Sequence, residues 1–133
     1  MARCIMIVDD DLDDIALFQE ALLDIDPTLI CASAVNGMDA FRRLESAEIN
    51  PDLIFVDMNM PILNGKDFIK LIREHKIFNR IKLFLYSTAD MSNSLHELKS
   101  IGANGFIRKP TVYAELFNGL SDAIYDCYKD HPA

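Results

Sequence analysis

The chain has 133 residues, half of them hydrophobic, which is enough for one domain whose core closes without disulfides or metal. A formal net charge of -8 repels phosphate backbones and anionic lipid, arguing against nucleic acid or a membrane as partner. Cys4, Cys31 and Cys127 lack the close spacing of a zinc or redox pair, and the apolar run at 4–8 meets acids too soon for a signal peptide. Both features place the protein in a reducing, cytoplasmic compartment.

Residues 2–8 read as a first strand, apolar from Cys4 to Val8 and stopped by Asp9-Asp10-Asp11. Over 12–25, Ile15, Phe18, Leu22 and Ile25 recur at the helical period, with Asp13, Asp14, Gln19, Glu20 and Asp24 on the other face. Asp10 or Asp11 can cap that helix, and Pro27 closes it. Residues 29–35 mix Ser and small residues into an apolar run, as an edge strand does. A helix from about 37 to 48 then turns Met38, Phe41 and Leu44 inward.

Leu53 to Val56 are four apolar residues in a row, the pattern of a strand covered on both faces, and Asp57 ends the run. Met58 to Gly65 form a loop in which Pro61 fixes one φ angle and Gly65 is free to take a positive one at the mouth of the next helix. The segment 66–76 predicts a helix that buries Phe68, Ile69, Leu71 and Ile72. Residues 81–86 give another buried strand, which runs into Ser87-Thr88. A weaker helix over about 91–101 stops at Gly102, and a short strand covers 104–108. Lys109-Pro110 makes a turn, and a last helix runs over 111–128 with Thr111 placed to cap it. The tail from Lys129, with its Pro, favours fraying.

Strands starting near 3, 29, 52, 81 and 104 leave each strand-helix unit roughly the length a βαβ step needs. The expectation is one α/β domain over 1–133, a doubly wound sheet of five parallel strands with the three most apolar in the middle. In such a sheet all carboxyl ends share one edge, where ligands bind. Asp9, Asp10, Asp57, Ser87 and Lys109 therefore meet there. Two carboxylates about 5 Å apart repel by roughly 3 kcal/mol at an effective dielectric of about 20, so cations must intervene. An all-oxygen site without His or Cys selects Mg²⁺ or Mn²⁺. Lys109 adds an ammonium that reaches a phosphoryl oxygen. Ser87 offers a hydroxyl, with Thr88 in its place if the strand boundary shifts by one. The Asp57 oxygen can then attack phosphorus in line.

These residues in this order give a chain that resembles the receiver domain of two-component response regulators along its whole length. The matching positions are Asp9-Asp10, Asp57-Met58-Asn59-Met60-Pro61 through Gly65, Ser87, and Lys109-Pro110. The resemblance implies a flavodoxin-like fold of strand order 2-1-3-4-5 and phosphorylation at Asp57. It also implies a metal held by Asp10, Asp57 and the backbone carbonyl of Asn59, with Asp9 acting through a water. Phe106 stands where the family has an aromatic that turns inward as the Ser87 hydroxyl moves to the phosphate. A single-domain member of this kind is similar to the chemotaxis regulator. Its expected partners are a histidine kinase or phosphotransfer protein and a downstream target, met on a face that includes Ser94, Leu95, Lys99, Phe106 and Tyr113. Two positions depart from the family's habit: Ser87 where Thr is commoner, and Thr88 where a small residue is usual. Asn59 and Ala89 occupy positions that tune phosphoryl lifetime in the family.

Three other functions compete. A phosphatase or phosphotransferase acting on outside substrates wants a second acid two residues after its nucleophile, and Asn59 is there instead. A flavin carrier wants a Ser/Thr/Gly-rich first loop, which here is acidic. A receiver-like adaptor that binds a partner without phosphorylation would not need the intact site. His75, His96 and His131 are isolated, fall on polar surface or the tail, and receive no role.

Overall fold

The computed structural model describes residues 3–129. Five parallel strands form one sheet in the order β2-β1-β3-β4-β5, as expected. They are β1 (Cys4–Val8), β2 (Ile30–Ala34), β3 (Leu53–Asp57), β4 (Lys82–Ser87) and β5 (Gly105–Arg108). Between and after them run α1 (Leu12–Ile25), α2 (Gly37–Glu45), α3 (Gly65–Arg73), α4 (Leu95–Ser100) and α5 (Tyr113–Tyr128). The apolar runs of β1 and β3 are buried on both faces because each is flanked by two strands and covered by helices. Register brings Val8 beside Val56 and Asp57 beside Tyr86, which aligns the carboxyl ends.

The alternation of side chains across each strand splits the core in two. Met6, Val8, Ile54, Val56, Leu83 and Leu85 face α2, α3 and α4, packing with Leu44, Phe68, Ile69 and Leu98. Ile5, Ile7, Leu53, Phe55 and Tyr86 face α1 and α5, with Phe18, Leu22, Leu116 and Leu120. In that second core Phe18 meets Phe55 and Tyr86 edge to face, at centroid distances of 5.2 and 5.8 Å. At the opposite edge of the sheet the Tyr128 hydroxyl donates to Asp52 Oδ2 at 2.7 Å, pinning the end of α5.

Several boundaries move from their expected places. The α2 helix ends at Glu45 rather than 48, because Ala47 takes a left-handed φ of 60°. Its Met38 is 52% exposed, not inward; Gly37 and Ala40 make the contact instead. The α3 helix stops at Arg73, and a 3₁₀ turn over Lys76–Phe78 takes up the remaining residues. The expected helix over 91–101 is a 3₁₀ turn at Ser92–Ser94 followed by the short α4. Thr111 caps nothing: the cap position of α5 is Val112, which gives no side-chain bond. Asp11 is the cap of α1, its carboxylate accepting from the N–H groups of Asp13 and Asp14. His75 is half-buried, its ring 5.1 Å from Phe41 and 6.1 Å from Phe78, not on a polar surface. His131 and the tail beyond Lys129 lie outside the described residues.

Candidate functional site

Asp9, Asp57, Ser87 and Lys109 sit where strands hand over to loops. Asp9 follows β1, and its N–H donates to Ala34 O at 3.0 Å, which holds it at the strand end. Its side chain is fully buried, with Oδ1 accepting the Asp11 N–H at 3.0 Å and Oδ2 2.9 Å from Lys109 Nζ. That second approach falls outside hydrogen-bond geometry, so Oδ2 is a buried acceptor with an ionic neighbour and no hydrogen bond. Asp10 is exposed beside it. Asp57 closes β3 at only 6% exposure, its Oδ1 accepting the Asn59 N–H at 3.3 Å and lying 3.3 Å from Lys109 Nζ. One carboxylate oxygen from each of Asp9, Asp10 and Asp57 lies within 4.8 Å of the others.

Lys109 is fixed by its backbone. Its N–H donates to Ser87 O at 2.6 Å, extending the β4–β5 ladder one step beyond the strand. The ammonium then lies 5.2 Å from the Tyr86 ring centroid and contacts Asp9, Asp57 and Asp14. Burial disfavours the charged amine, but the contacts with Asp14 and Asp9 and the charges of Asp9 and Asp57 outweigh it and hold the Lys109 pKa above its usual value. Asp9 moves the other way for an acid in an ion pair. Burial drives its pKa up to about 6, against the pull of the Asp11 N–H and Lys109. One ammonium shared among several carboxylates does not offset full burial of one of them.

Ser87 is 1% exposed, and its Oγ accepts the Ala89 N–H at 3.1 Å. Thr88 is exposed, and its carbonyl accepts from Arg108 Nε at 3.2 Å. Phe106 is half-buried and packs against the core under α3 and α4. Of the other face residues, Leu95 is 39% exposed, Lys99 is exposed and Ser94 is half-buried. Tyr113 does not join them: its hydroxyl donates to Asp24 on α1, so this side chain turns away from α4.

Asp14 belongs to this rim although the sequence gives no reason to place it there. Asp14 was placed on the outer face of α1, yet its Oδ2 accepts from Lys109 Nζ at 2.8 Å. The sequence carries no signal for this, since an acid in a first helical turn reads as dipole compensation. Gly65 does more than begin a helix. It takes no positive φ, which falls to Ile62 at 69° instead. A Cβ at Gly65 would stand 2.6 Å from Asp57 O and 2.7 Å from Leu85 Cδ2, so glycine is what lets α3 start against the end of β3.

The donor set fits a hard divalent cation: three carboxylates converge, and one of them carries a buried oxygen that lacks a hydrogen bond. The fold and this rim define a flavodoxin-like α/β protein with an acidic site at the carboxyl ends of its strands. The response regulator receiver domain family matches residues 5–121, and the chain belongs to that family. Receiver domains are phosphoacceptor switches that bind Mg²⁺ or Mn²⁺ and interact with histidine kinases and downstream targets. The transcriptional regulatory protein LnrK of Bacillus subtilis is 30% identical over 105 residues, covering 78% of this chain and 46% of LnrK. A protein-glutamate methylesterase/protein-glutamine glutaminase of Clostridium acetobutylicum is 28% identical over 122 residues, 90% of this chain and 34% of its own length. The chain thus spans less than half the length of these curated relatives. The phosphorylated cyanobacterial phytochrome response regulator RcpA superposes with a TM-score of 0.82 at 25% identity, over 100% of this chain and 97% of its own. Among the described residues no helix is long and apolar enough to cross a membrane.

Proposed function

We propose that this chain is a phosphorylation-activated signalling switch that accepts a phosphoryl group on Asp57 and thereby changes its affinity for a partner protein. The state of the Asp57 carboxylate carries the reading. Its Oδ1 is engaged by the Asn59 N–H and Lys109, while no hydrogen bond from the described residues reaches Oδ2. That leaves Oδ2 as the nucleophile. It attacks phosphorus in line, forming an oxygen–phosphorus bond as the bond to the donor's leaving group breaks, and the product is an aspartyl phosphate.

Asp9, Asp10 and Asp57, with the Asn59 backbone carbonyl, would hold Mg²⁺ or Mn²⁺, Asp9 acting through a water. When bound, such an ion neutralises charge on the transferring phosphoryl group. RcpA is described in a phosphorylated form and the response regulator Rcp1 in a Mn²⁺-bound form, which supports the same assignment here. Lys109 is already charged and within reach, so it can donate to a phosphoryl oxygen. Ser87 spends its oxygen on the Ala89 N–H but keeps a hydroxyl proton to donate. As that hydroxyl moves to the phosphoryl group, Phe106 can take the space beside it and alter the face formed with Ser94, Leu95 and Lys99. Thr88 stands at the rim and narrows access for water.

The donor is a histidine kinase or a phosphotransfer protein, and the whole of 1–133 works as one receiver unit in the cytoplasm. Its only chemistry is on itself: Asn59 stands where an Asp-dependent phosphatase needs its second acid. The test is incubation with acetyl phosphate and Mg²⁺ followed by intact mass. One phosphoryl adduct is expected, abolished by EDTA and by Asp57→Asn. No adduct on the wild type overturns the proposal and leaves a phosphorylation-independent adaptor as the reading.

A further inference from the structure

Neither the metal trio nor the phosphoacceptor chemistry uses Asp14. Its carboxylate stands outside the group whose oxygens come within 4.8 Å of one another, yet it makes the shortest contact to Lys109 Nζ. The three distances are 2.8 Å to Asp14, 2.9 Å to Asp9 and 3.3 Å to Asp57. Of these, the contact with Asp14 is the one with hydrogen-bond geometry. The ammonium thus lies closest to a carboxylate outside the metal trio and farthest from the phosphoacceptor. Asp14 is itself fixed, because its N–H donates to the Asp11 cap in the first turn of α1. Against burial, which disfavours the ammonium, hydrogen bonding to Asp14 acts together with Asp9 and Asp57 to keep Lys109 charged.

We propose that Asp14 is a positioning residue that anchors the Lys109 ammonium toward α1, keeping Asp9 and Asp57 available to a divalent cation and to phosphorus. This rests on the reading of Asp57 as phosphoacceptor and adds a residue to it. An ammonium has three N–H donors and no means of leaving them unpaired in a buried site. With Asp14 present, one donor is committed to α1. Without it, the ammonium closes on Asp9 and Asp57, the two buried carboxylates that a cation must also engage. Lys109 then competes with the metal instead of standing beside it.

A field effect alone would look different. Deleting any acid near a cation site weakens cation binding, but that loss would be the same with or without Lys109. The experiment therefore makes Asp14→Asn in both the wild type and Lys109→Met, and measures the Mg²⁺ dissociation constant by calorimetry. The expected loss is about tenfold with Lys109 present and less than about threefold without it, the excess being the coupling between the two side chains. In the metal-free protein labelled with ¹⁵N-lysine, hydrogen exchange of the Lys109 ammonium is expected to speed by about threefold or more in Asp14→Asn, since an anchoring bond is gone. The signal is assigned by its loss in Lys109→Met. An equal loss of Mg²⁺ affinity in both backgrounds, or unchanged ammonium exchange, overturns the anchor. A wild type that binds no Mg²⁺ sinks the metal reading, while the exchange measurement still decides on Asp14.

Discussion

Lys109→Met removes a cation that contacts Asp9, Asp14 and Asp57 at once while keeping an unbranched stem over the Tyr86 ring. Asp9 is fully buried and Asp57 nearly so, so both lose a partner that water cannot replace. Removing one member of a buried ion pair costs about 3 to 5 kcal/mol, and the half-exposed Asp14 adds little. The expected loss, at the low end because carboxylates can protonate, is about 3 kcal/mol in metal-free protein near about pH 7.5. The sign with pH follows from Asp9. Its folded pKa is already raised to about 6 from an ordinary value near 3.8 and rises further without Lys109. Between those values the folded state binds more protons than the unfolded chain, so stability falls as pH rises through the window. At about pH 5 the variant's Asp9 is protonated, and the deficit should shrink to about 1 kcal/mol. Urea unfolding followed by circular dichroism at the two pH values measures it. A deficit of the same size at both, or one below about 0.5 kcal/mol at the higher pH, would refute the argument that Lys109 compensates buried charge.

Two further outcomes are expected. Mg²⁺ affinity should fall as pH drops through about 6, with metal binding releasing a proton from Asp9; an isotherm unchanged from pH 8 to about pH 5 would contradict the raised Asp9. Gly65→Ala should cost about 1 to 3 kcal/mol and slow labelling by acetyl phosphate, because its Cβ meets Asp57 O at 2.6 Å. Denaturation and labelling rates indistinguishable from wild type would show that α3 can shift without moving Asp57.

The parallel sheet was legible because burial on both faces leaves a plain mark: the runs ending at Val8, Val56 and Tyr86 have no polar alternation, and the three strands they form are central. The meeting of Asp9, Asp57, Ser87 and Lys109 followed from that topology alone, since parallel strands deliver their carboxyl ends to one edge. Helix ends were harder. The shortening of α2 depends on Ala47 adopting a positive φ, and nothing in Ser-Ala-Glu announces it. The role of Asp14 was illegible for a different reason. Its partner lies 95 residues away, and local periodicity sees only an acid on the polar side of a helix. Tyr113 and Asp24 are separated by 89 residues and escaped in the same way. Both acids lie on α1, and their partners come from the turn after β5 and from the start of α5; helical spacing carries no trace of which neighbour a polar face will meet.

The central claim is that Asp57, and no other acid on this crowded rim, receives the phosphoryl group. Borohydride reduction of the acetyl phosphate-treated protein converts an aspartyl phosphate to homoserine, and peptide mass spectrometry then locates it. Homoserine at position 57 alone is the predicted result. Homoserine at position 9, 10 or 14, or at none, would contradict the account.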